Sequence, residues 1–481
     1  MAVVMSELVA AVPPGLLAEV VGGDVAVCDL THDSRQVGAG WAFACVRGER
    51  FDGHRFAAAA AEQGATLLVV DHRLTVDVPQ IVVTDVRRAM GPIAAAVHGR
   101  PSGRLRMVGV TGTNGKTTTA HLMGAILRAS GADERRLGTL SGARTTPEAP
   151  DLQRTLAGFV DEGVEAVTME VSSHALALHR VAGAHFDVAV FTNLGRDHLD
   201  LHESMEAYFR AKASLFDGEL STVGVTNIDD PYGRLILDVA SIPMVGFGSE
   251  DAREVEVGID HHAFGWRGRR VRVPIGGRFN VMNSLAALTA AEVLGIDTDT
   301  AVAGLAACPP VPGRFEMVSD PARDEVAVVV DYAHTPDGLA VVLDAARTLG
   351  TGRVIAVFGC GGDRDTDKRP LMGAAAVQGA DLVIVTSDNP RHEDPMSIIR
   401  AAAAGIDDRY GEVVLLEPDR RSAIAAAIGA AAPGDVVVIA GKGHETTQTV
   451  GDEVRPFDDR DVARQILAGL AADPSSLEVG S

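Results

Sequence analysis

The chain has 481 residues, which suffices for about three domains of ordinary size, and 46% of them are hydrophobic, which suffices for large cores. Its formal net charge of −22 argues against a nucleic-acid surface, because such a surface needs a basic patch. Four scattered cysteines without a CxxC pair fit a reducing cytoplasm and argue against a zinc site or a disulfide framework. The sequence shows no basic leader and no run of roughly 20 apolar residues, so we expect neither a signal peptide nor a membrane span.

Residues 1–103 are predicted to form a small α/β unit, because short apolar runs alternate with helix-compatible runs. Pro101 and Gly103 indicate a linker at its end, since proline and glycine stop the preceding helix. Its strands are expected at Trp41–Val46, Thr66–Val70 and Gln80–Thr84, and its helices around Arg55–Gln63 and Ala89–His98.

Residues 104–313 and 314–481 are predicted to form two further units, separated by the proline cluster at 308–313. Short apolar strands alternate with helices in both, which is typical of mostly parallel sheets with ligands at the carboxyl ends of the strands. We therefore predict an α/β fold of three domains: the small N-terminal domain, a central P-loop-type parallel sheet and a C-terminal Rossmann-like doubly wound sheet. The expected strands are Leu105–Val110, Ala166–Val171, Phe186–Thr192 and Thr222–Thr226, then Val326–Val330, Arg353–Phe358, Leu382–Thr386, Val413–Leu416 and Val436–Ala440.

The stretch Gly109–Thr119 combines a strand end, a glycine loop and a helix start. Unpaired N–H groups in such a loop and at a helix N-terminus bind phosphate. Lys116 is expected to reach a terminal phosphate of ATP, and the Thr117 hydroxyl is expected to bind Mg²⁺. The motif is shorter than a Walker A loop, which would need glycine at Val110, whereas its first glycine here is Gly112.

Two further loops should emerge at the same sheet edge, because they follow strands of the same predicted sheet. Glu170 ends one strand, and His198 lies in the loop after the next. Together with the Thr117 hydroxyl they would converge on Mg²⁺, although histidine is a less usual ligand for this ion. On spacing alone, a helix-start residue or a hydrogen-bond bridge explains His198 equally well.

Lys212 lies in the helical run Tyr208–Phe216, which has an apolar face. A lysine among apolar neighbours is costly unless it is neutralised or paired. From this segment alone, the favoured interpretation is a lysine that extends its charge into water.

Six motifs taken together resemble the Mur ligase family, whose members are ATP-dependent amide-forming ligases of peptidoglycan precursor synthesis. They are Gly112–Thr117, Glu170–His174, Asn193–Asp200, Asn280–Asn283, Gly313–Glu316 and Asp331–Asp337. The resemblance runs from Thr31 to about Asp458, and within the family it is closest to the branch that adds diaminopimelate. The motifs that carry this finer resemblance are Thr31–Arg35 and Gly48–Gly53 (uridine binding), Thr145–Pro150 (substrate loop) and Asp388–Arg391 (amino-acid selection, different in lysine-adding relatives).

The resemblance implies a ligase that joins meso-2,6-diaminopimelate to the D-glutamate γ-carboxylate of UDP-N-acetylmuramoyl-L-alanyl-D-glutamate through an acyl phosphate. Such an enzyme would need ATP and Mg²⁺, and Lys212 would carry a carbamate, formed with CO₂, that binds a second Mg²⁺. Its partners would be these small molecules alone, without nucleic acid or membrane insertion. We expect a cytoplasmic monomer that contributes to cell wall synthesis.

The resemblance also implies roles residue by residue. Catalysis would involve Lys116, Glu170, His198 and Lys212, and the metal ligands would be Thr117, Glu170, His198 and the carbamate of Lys212. The ATP-binding residues would be Gly112, Thr113, Asn114, Gly115, Lys116, Thr117, Thr118, Asn280, Asn283, Arg314 and Asp331. The residues for the nucleotide-linked dipeptide would be His32, Ser34, Glu49, Arg50, Phe51, Arg144, Thr145, Thr146, Ser172 and Arg180. Those for diaminopimelate would be Arg364, Asp388, Asn389, Pro390, Arg391, Gly441 and Glu445.

The charged residues named for diaminopimelate follow three strands of the third unit and should line one crevice. An arginine fork binds a carboxylate in a bidentate manner, so Arg364 and Arg391 are candidates for the carboxylates of diaminopimelate, and Glu445 for an ammonium. Such a site would discriminate against lysine, whose far end lacks a carboxylate. Taken singly, Arg364 is also explained by an ion pair with Asp363 or Asp365, and Glu445 by a helix start.

The chain departs from the family at Leu178, where the family has glutamine, so a hydrogen bond to the nucleotide-sugar is missing or supplied elsewhere.

Three alternative functions are open. The first is a relative that adds another amino acid to the same precursor or to a specialised metabolite, and Arg391 with Asn389 disfavours a lysine adder among these. The intact candidate catalytic set disfavours a non-catalytic nucleotide-binding scaffold. The uridine-site resemblance disfavours a folate-adding ligase, which would share the glycine loop.

Overall fold

The computed structural model describes residues 2–48, 51–142, 144–197 and 199–472. It contains three α/β units that follow one another along the chain, each with a mainly parallel sheet. The predicted fold class is therefore confirmed. Within these ranges, none of the helices combines the length and the apolar character that a bilayer crossing demands.

The first unit has a five-stranded sheet that is parallel except for its outer strand Leu17–Val21. The three predicted strands appear within two residues of their expected bounds. Pro101 and Ser102 are buried in a short 3₁₀ helix, so the end of the unit is packed against its surroundings. In spatial order the strands are Leu17–Val21, Gln80–Val83, Leu67–Val70, Trp41–Ala44 and Asp29–Thr31, with a separate pair Val3–Val4 and Ala26–Val27. The helices are Met5–Ala10, Ala57–Glu62 and Val86–Val97, with 3₁₀ helices Ser34–Gln36, Gly53–Phe56 and Pro101–Arg104.

The central unit has a six-stranded sheet in which every pairing is parallel. Sequence patterns identified its four inner strands but not its edge strands or a separate antiparallel hairpin sheet. In spatial order the strands are Met244–Phe247, Ser221–Asn227, Phe186–Phe191, Arg106–Thr111, Ala166–Glu170 and Glu134–Leu137, and the hairpin sheet is Arg253–Val257, His262–Trp266 and Arg269–Val273. The helices are Lys116–Ala129, Ala149–Asp161, Ser173–Ala177, Leu199–His202, Met205–Ala213, Pro231–Val239, Phe279–Val293 and Thr298–Ala306, with 3₁₀ helices Ser214–Phe216 and Ser249–Asp251.

The register of the central sheet brings its functional loops to one edge. Glu170 pairs with Val110, and Phe191 pairs with Thr111, so the loops after these strands leave the sheet beside the glycine loop. The loop itself depends on glycine, because Gly115 has φ +85° and a Cβ there would lie 2.4 Å from Asn283 Oδ1.

The third unit has a six-stranded sheet that is parallel except for the short edge strand Glu316–Met317. Two of its helices begin with a side-chain cap followed by proline at the first helical position, namely those after Thr335 and Asp394. In spatial order the strands are Glu316–Met317, Ala327–Asp331, Val436–Ala440, Val354–Cys360, Leu382–Ser387 and Val414–Glu417, with a hairpin Thr447–Val450 and Glu453–Pro456. The helices are Pro336–Leu349, Lys368–Gly379, Pro395–Ala403, Arg420–Ala430 and Asp459–Ala472, with a 3₁₀ helix Asp408–Val413.

The first and central units are joined by a half-buried ion pair. Arg154, on the helix Ala149–Asp161, donates to both carboxylate oxygens of Asp29 at 2.7 and 3.0 Å and stacks over the Trp41 ring at 5.1 Å. Burial raises the pKa of Asp29, but hydrogen bonds from His98 and Arg154 outweigh it and lower the pKa to about 2. This fork therefore fixes the first unit on the central unit in a defined orientation.

Candidate active site

A cavity of about 480 Å³ lies at the carboxyl edge of the central sheet, and the third unit contributes part of its wall. This volume is typical of a small-molecule site. The central unit lines it with the glycine loop, residues 113–118, and with residues that follow neighbouring strands. The residues from the third unit are Arg314, Asp331, Tyr332, Ala333, His334, Gly338, Val341 and Val342.

Two lysine side chains meet at one backbone carbonyl in this cavity. Lys116 Nζ donates to the carbonyls of Gly112 and Thr113 at 2.9 and 2.8 Å, and Lys212 Nζ donates to the same Gly112 carbonyl at 2.8 Å. Burial lowers the pKa of Lys116, and Glu170 acts in the opposite direction. Two basic side chains thus lie beside the glycine loop, where the sequence predicted the ATP phosphates.

Lys212 is deeply buried on the helix Met205–Ala213. The residue is 1% exposed, and its ammonium lies 4.7 Å from the centre of the Tyr208 ring. Burial, followed by the charge of Lys116, lowers the pKa of Lys212 well below its ordinary value. The interpretation of Lys212 as a lysine that extends into water is therefore wrong. Its surroundings favour the neutral amine.

Glu170 presents its carboxylate to two hydroxyl groups. Oε2 accepts from the Thr117 hydroxyl at 2.9 Å and from the Thr139 hydroxyl at 3.1 Å, while Oε1 accepts from the Thr139 N–H at 2.9 Å. A carboxylate among hydroxyl oxygens is a donor set that suits Mg²⁺, so these residues fit the expected ion. His198, the other predicted ligand in this loop region, lies outside the described residues.

The third unit reaches the glycine loop through Arg314. Its Nη2 donates to the Thr117 hydroxyl at 3.0 Å, and its guanidinium lies 4.2 Å from the centre of the Tyr332 ring. Asp331 accepts backbone N–H groups from Phe315 and Ala333, each at 2.7 Å, and thereby fixes the loop that carries Arg314. Arg314 and Asp331 thus both line the predicted nucleotide cavity, but Asp331 acts mainly on the backbone.

The two asparagines predicted near the adenine differ in position. Asn283 lines the cavity, whereas Asn280 is fully buried behind it. Asn280 Nδ2 donates to the Gly276 carbonyl at 2.7 Å, and its Oδ1 accepts from Asn283 Nδ2 at 2.8 Å. In this structure Asn280 therefore orients Asn283.

The predicted contacts of the dipeptide gather beside Glu170. The Thr146 hydroxyl donates to the Glu170 carbonyl at 2.8 Å and accepts from the Ser172 N–H at 3.2 Å. Thr145 and Ser172 line the main cavity. Arg144 and Arg180 each form an ion pair of 3.0 Å with the same carboxylate oxygen of Glu148.

The predicted uridine contacts are only partly described. His32 and Ser34 lie in the first unit, and Ser34 begins the 3₁₀ helix Ser34–Gln36. The His32 imidazole is desolvated, which lowers its pKa, and Glu148 opposes the shift. Phe51 is 68% exposed. Glu49 and Arg50 lie outside the described residues.

The amino-acid crevice of the third unit has charged groups that are already paired. Glu445 accepts from Lys442 Nζ at 3.0 Å and from Asn389 Nδ2 at 2.8 Å, and Asn389 Nδ2 also donates to Asp388 at 3.0 Å. Lys442 is fully buried. Burial raises the pKa of Asp388. Glu445 follows the turn at Gly443 and His444, and the next helix begins at Asp459, so its alternative interpretation as a helix-start carboxylate is wrong.

The two predicted arginines flank Gly361 at the mouth of this crevice. A Cβ built there would lie 3.0 Å from Arg391 Nη1 and 3.6 Å from Arg364 Cγ. Arg391, at φ +50°, donates from Nη1 to the Gly362 carbonyl at 2.5 Å. Arg364 is exposed, and Asp363 pairs with His392 at 3.0 Å rather than with Arg364.

The backbone brings the other predicted members of the crevice into contact. A Cβ at Gly441 would lie 2.8 Å from Asp388 Oδ2, and one at Gly362 would lie 1.9 Å from the Pro390 carbonyl. The three predicted loops therefore meet. Gly441 and Gly362 allow them to approach closely.

Sequence reasoning missed several residues of these sites. Thr139 follows Glu134–Leu137, an edge strand whose charged sequence gives no strand signal. Tyr332 and Lys442 directly follow the predicted site residues Asp331 and Gly441. Only the structure shows that Tyr332 lies beside the Arg314 guanidinium and that Lys442 is fully buried. Arg87, on the helix Val86–Val97 of the first unit, lies 3.5 Å from Glu148 of the central unit, and no sequence signal relates the two residues.

Three protein-family models match the chain. They describe the Mur ligase family catalytic domain over residues 28–99, the Mur ligase middle domain over residues 110–291, and the Mur ligase glutamate ligase domain over residues 313–443.

Relatives match nearly the full length. The UDP-N-acetylmuramoyl-L-alanyl-D-glutamate–2,6-diaminopimelate ligase of Geobacillus kaustophilus is 46% identical over 92% of this chain and 95% of its own. The protein of the same name from Streptomyces coelicolor is 44% identical, covering 95% of this chain and 97% of its own. A solved structure with this name superposes with a TM-score of 0.67 at 33% identity, covering 98% of this chain and 99% of its own.

Proposed function

The chain belongs to the Mur ligase family, and on that premise we propose that it joins meso-2,6-diaminopimelate to UDP-N-acetylmuramoyl-L-alanyl-D-glutamate at the expense of ATP. The new amide forms at the γ-carboxylate of the D-glutamate, and ADP and phosphate are released. The observation that carries the proposal is the cavity in which Lys116, Lys212 and Glu170 meet beside the glycine loop. The names of the relatives support the choice of substrates.

The first step is phosphoryl transfer. A γ-carboxylate oxygen attacks the γ-phosphorus of ATP, the bond to the bridging oxygen breaks, and ADP leaves. Lys116 and Arg314 supply positive charge along the glycine loop, where negative charge moves during this step. Glu170, Thr117 and Thr139 are the residues that would hold Mg²⁺, which neutralises phosphate charge when bound.

The second step uses the acyl phosphate made by the first. The diaminopimelate amine attacks the acyl carbon, the carbon–oxygen bond to phosphate breaks, and the amine loses a proton as the amide forms. Much of this catalysis is positioning, because the substrates are held on different units. The third unit contributes part of the cavity wall, and closure of this wall over the site would limit the access of water to the acyl phosphate.

Lys212 is the residue we assign to carbamate formation. A buried lysine with a depressed pKa presents a neutral amine, which adds CO₂ and releases a proton. The product replaces a neutral group by a negative one beside Lys116. The two lysines share the Gly112 carbonyl, so the carbamate would form within reach of the Lys116 charge.

The amino acid would enter the crevice of the third unit. Arg391 and Arg364 flank Gly361 and would bind carboxylate, while Asp388 and Glu445 would face an ammonium group. L-Lysine has no far carboxylate and would leave the arginines unpaired. We further propose that the protein acts as a monomer in the cytoplasm, because ATP and nucleotide-linked precursors are available there.

The test is phosphate release with ATP, Mg²⁺ and the nucleotide-linked dipeptide, comparing meso-diaminopimelate with L-lysine and measuring the mass of the product. We expect turnover with diaminopimelate to exceed that with lysine by about 100-fold, the effect of losing one bidentate charged contact. Equal or better turnover with lysine would contradict the specificity. Absence of turnover with either amino acid would contradict the ligase function.

A further inference from the structure

Two histidines and an aspartate meet in the first unit, away from the loops of the central cavity. His54 lies in the 3₁₀ helix Gly53–Phe56, and Asp71 and His72 directly follow the strand Leu67–Val70. Asp71 Oδ1 lies 3.1 Å from His54 Nε2 and 2.5 Å from His72 Nδ1. One nitrogen of each imidazole and one carboxylate oxygen all lie within 4.8 Å of one another. We call these three residues the histidine–aspartate cluster.

The hydrogen bonds of His54 leave one of its acceptors facing a carboxylate. Its Nδ1 lies 2.6 Å from Asp52 Oδ1, which accepts the ring proton, and its Nε2 accepts the Asp71 N–H at 3.3 Å. Nε2 therefore presents a lone pair, yet Asp71 Oδ1, a second acceptor, lies only 3.1 Å from it. Two acceptors at this distance repel each other unless a cation is shared between them.

A second proton on His54 is the competing explanation for this contact. It would turn Nε2 into a donor to Asp71 Oδ1, and the cluster would then be a network of ion pairs. The Asp71 N–H would lose its acceptor, however, because a protonated Nε2 has no lone pair left. A bound metal ion uses the lone pair without adding a proton.

The surroundings of the cluster support a metal ion. Asp52 holds the far nitrogen of His54, as carboxylates commonly do behind a metal-bound histidine. Arg47 donates to Asp71 Oδ2 at 2.6 Å and to Oδ1 at 3.3 Å, which fixes the carboxylate. With neutral imidazoles, two carboxylates and one guanidinium leave one negative charge. The His54 side chain is 6% exposed and that of His72 is 53% exposed, so the cluster is anchored on one side and accessible on the other.

The ligand types select the class of metal. Two imidazole nitrogens and one carboxylate oxygen suit Zn²⁺, whereas Mg²⁺ prefers oxygen ligands. Ligand atoms around a tetrahedral Zn²⁺ lie about 3.3 Å apart, so a small movement of the exposed His72 would admit the ion. The scattered cysteines argue only against a zinc site built from cysteine, and this cluster contains none.

We propose that His54, Asp71 and His72 bind a divalent transition-metal ion of the zinc class, with water as the fourth ligand. The ion would connect the 3₁₀ helix Gly53–Phe56 to the end of the strand Leu67–Val70, and so cross-link two elements of the first unit. The site is separate from the residues around Glu170 that would hold Mg²⁺, and it does not depend on the proposed ligase function.

The first measurement titrates the untagged, full-length protein with Zn²⁺ while Mg²⁺ is present in excess. Calorimetry should show one saturable zinc site that His72→Ala weakens by about 100-fold, because an exposed ligand is lost without disturbing the core. Asp52→Asn removes only the support of His54 and should weaken zinc binding by about tenfold. His185→Ala, which changes an exposed histidine of the central unit, should bind zinc as the wild type does.

The second measurement uses Co²⁺ in place of Zn²⁺, because the visible absorption of Co²⁺ reports its coordination geometry. The wild type should show the intense bands of a low-coordinate site with nitrogen ligands, and His72→Ala should lose them. Absence of saturable Zn²⁺ binding by the wild type would overturn the proposal and leave the cluster as ion pairs. Zinc binding that His72→Ala leaves unchanged would also overturn it.

Discussion

The central cavity and the amino-acid crevice of the third unit differ in how their charges are held. In the cavity, Lys116 and Lys212 rest on backbone carbonyls that carry no full charge. In the crevice, Glu445 already has the Lys442 ammonium at 3.0 Å, and Arg391 is bonded to the Gly362 carbonyl. Phosphoryl transfer benefits from fixed charge that is not neutralised beforehand. Binding of a zwitterionic amino acid in the crevice instead replaces these internal partners by the charged groups of the ligand.

This difference predicts where substitutions act. Changes in the cavity should reduce the rate of the chemical step with every amino acid, whereas changes in the crevice should alter the choice among amino acids. Arg314 belongs to the third unit yet bonds to Thr117, so it connects the two regions.

The largest effect is expected for Lys116→Ala. Removing the charge at the glycine loop should reduce kcat by about 1,000-fold, comparable to the loss of a preorganised transition-state donor. Steady-state phosphate release, with binding of the nucleotide-linked dipeptide as the folding control, measures this. Near-normal ligation by this variant would refute the role of Lys116. It would also remove the basis for separating the central cavity from the amino-acid crevice.

A somewhat smaller loss is expected for Lys212→Ala, about 100-fold in kcat, because the charge of the proposed carbamate is lost while the glycine loop remains. The matched control is Arg210→Ala on the same helix, which should be nearly normal because Arg210 is exposed and its ion pair with Glu206 lies at the surface. Carbon-13 NMR with labelled CO₂ should show a carbamate signal in the wild type and none in Lys212→Ala. A wild-type spectrum without that signal under turnover conditions would contradict the carbamate.

Arg391→Lys should affect the crevice alone. The KM for diaminopimelate should rise about tenfold while the KM for ATP is unchanged, because lysine keeps the charge but loses the bidentate fork. Discrimination against L-lysine should fall by a similar factor. Arg400→Lys, on the exposed face of the next helix, is the control. A general fall in kcat with all amino acids would show that the two regions are not separable in this way.

The smallest effect concerns stability. Lys212 has a folded-state pKa below the ordinary value of 10.5, so the unfolded chain binds the extra proton between these two pKa values. The free energy of unfolding should therefore rise with pH across that window, by about 1.4 kcal/mol per pH unit relative to Lys212→Met. Urea unfolding of both proteins in CO₂-free buffer measures this difference. A difference independent of pH would mean that Lys212 is charged in the folded protein.

The central sheet and the glycine loop could be predicted from sequence because their signals are local. Apolar strands, glycine at positive φ and a following helix need no knowledge of distant residues. Glu170 followed from the topology, since parallel strands end at one edge. By contrast, the burial of Lys212 depends on the packing around its helix. The interpretation of Lys212 as a lysine that extends its charge into water was wrong for that reason.

The site features that could not be predicted from the sequence depend on contacts between distant elements. Thr139 needed the edge strand Glu134–Leu137, whose charged residues hide its conformation. Asn280 matches a motif, yet only the packed helix shows that it bonds to Asn283. Arg87 and Glu148 come from different units, and no spacing along the chain relates them. The assigned roles of the site residues remain predictions.

The most direct test of the central cavity follows the oxygen atoms. The nucleotide-linked dipeptide is prepared with heavy oxygen in the γ-carboxylate of its D-glutamate, and the released inorganic phosphate is analysed by mass spectrometry. An acyl phosphate predicts one labelled oxygen in each phosphate, because the carbon–oxygen bond to the phosphoryl group breaks when the amine attacks. Unlabelled phosphate, formed while the labelled substrate becomes product, would contradict activation of the carboxylate beside Lys116 and Glu170.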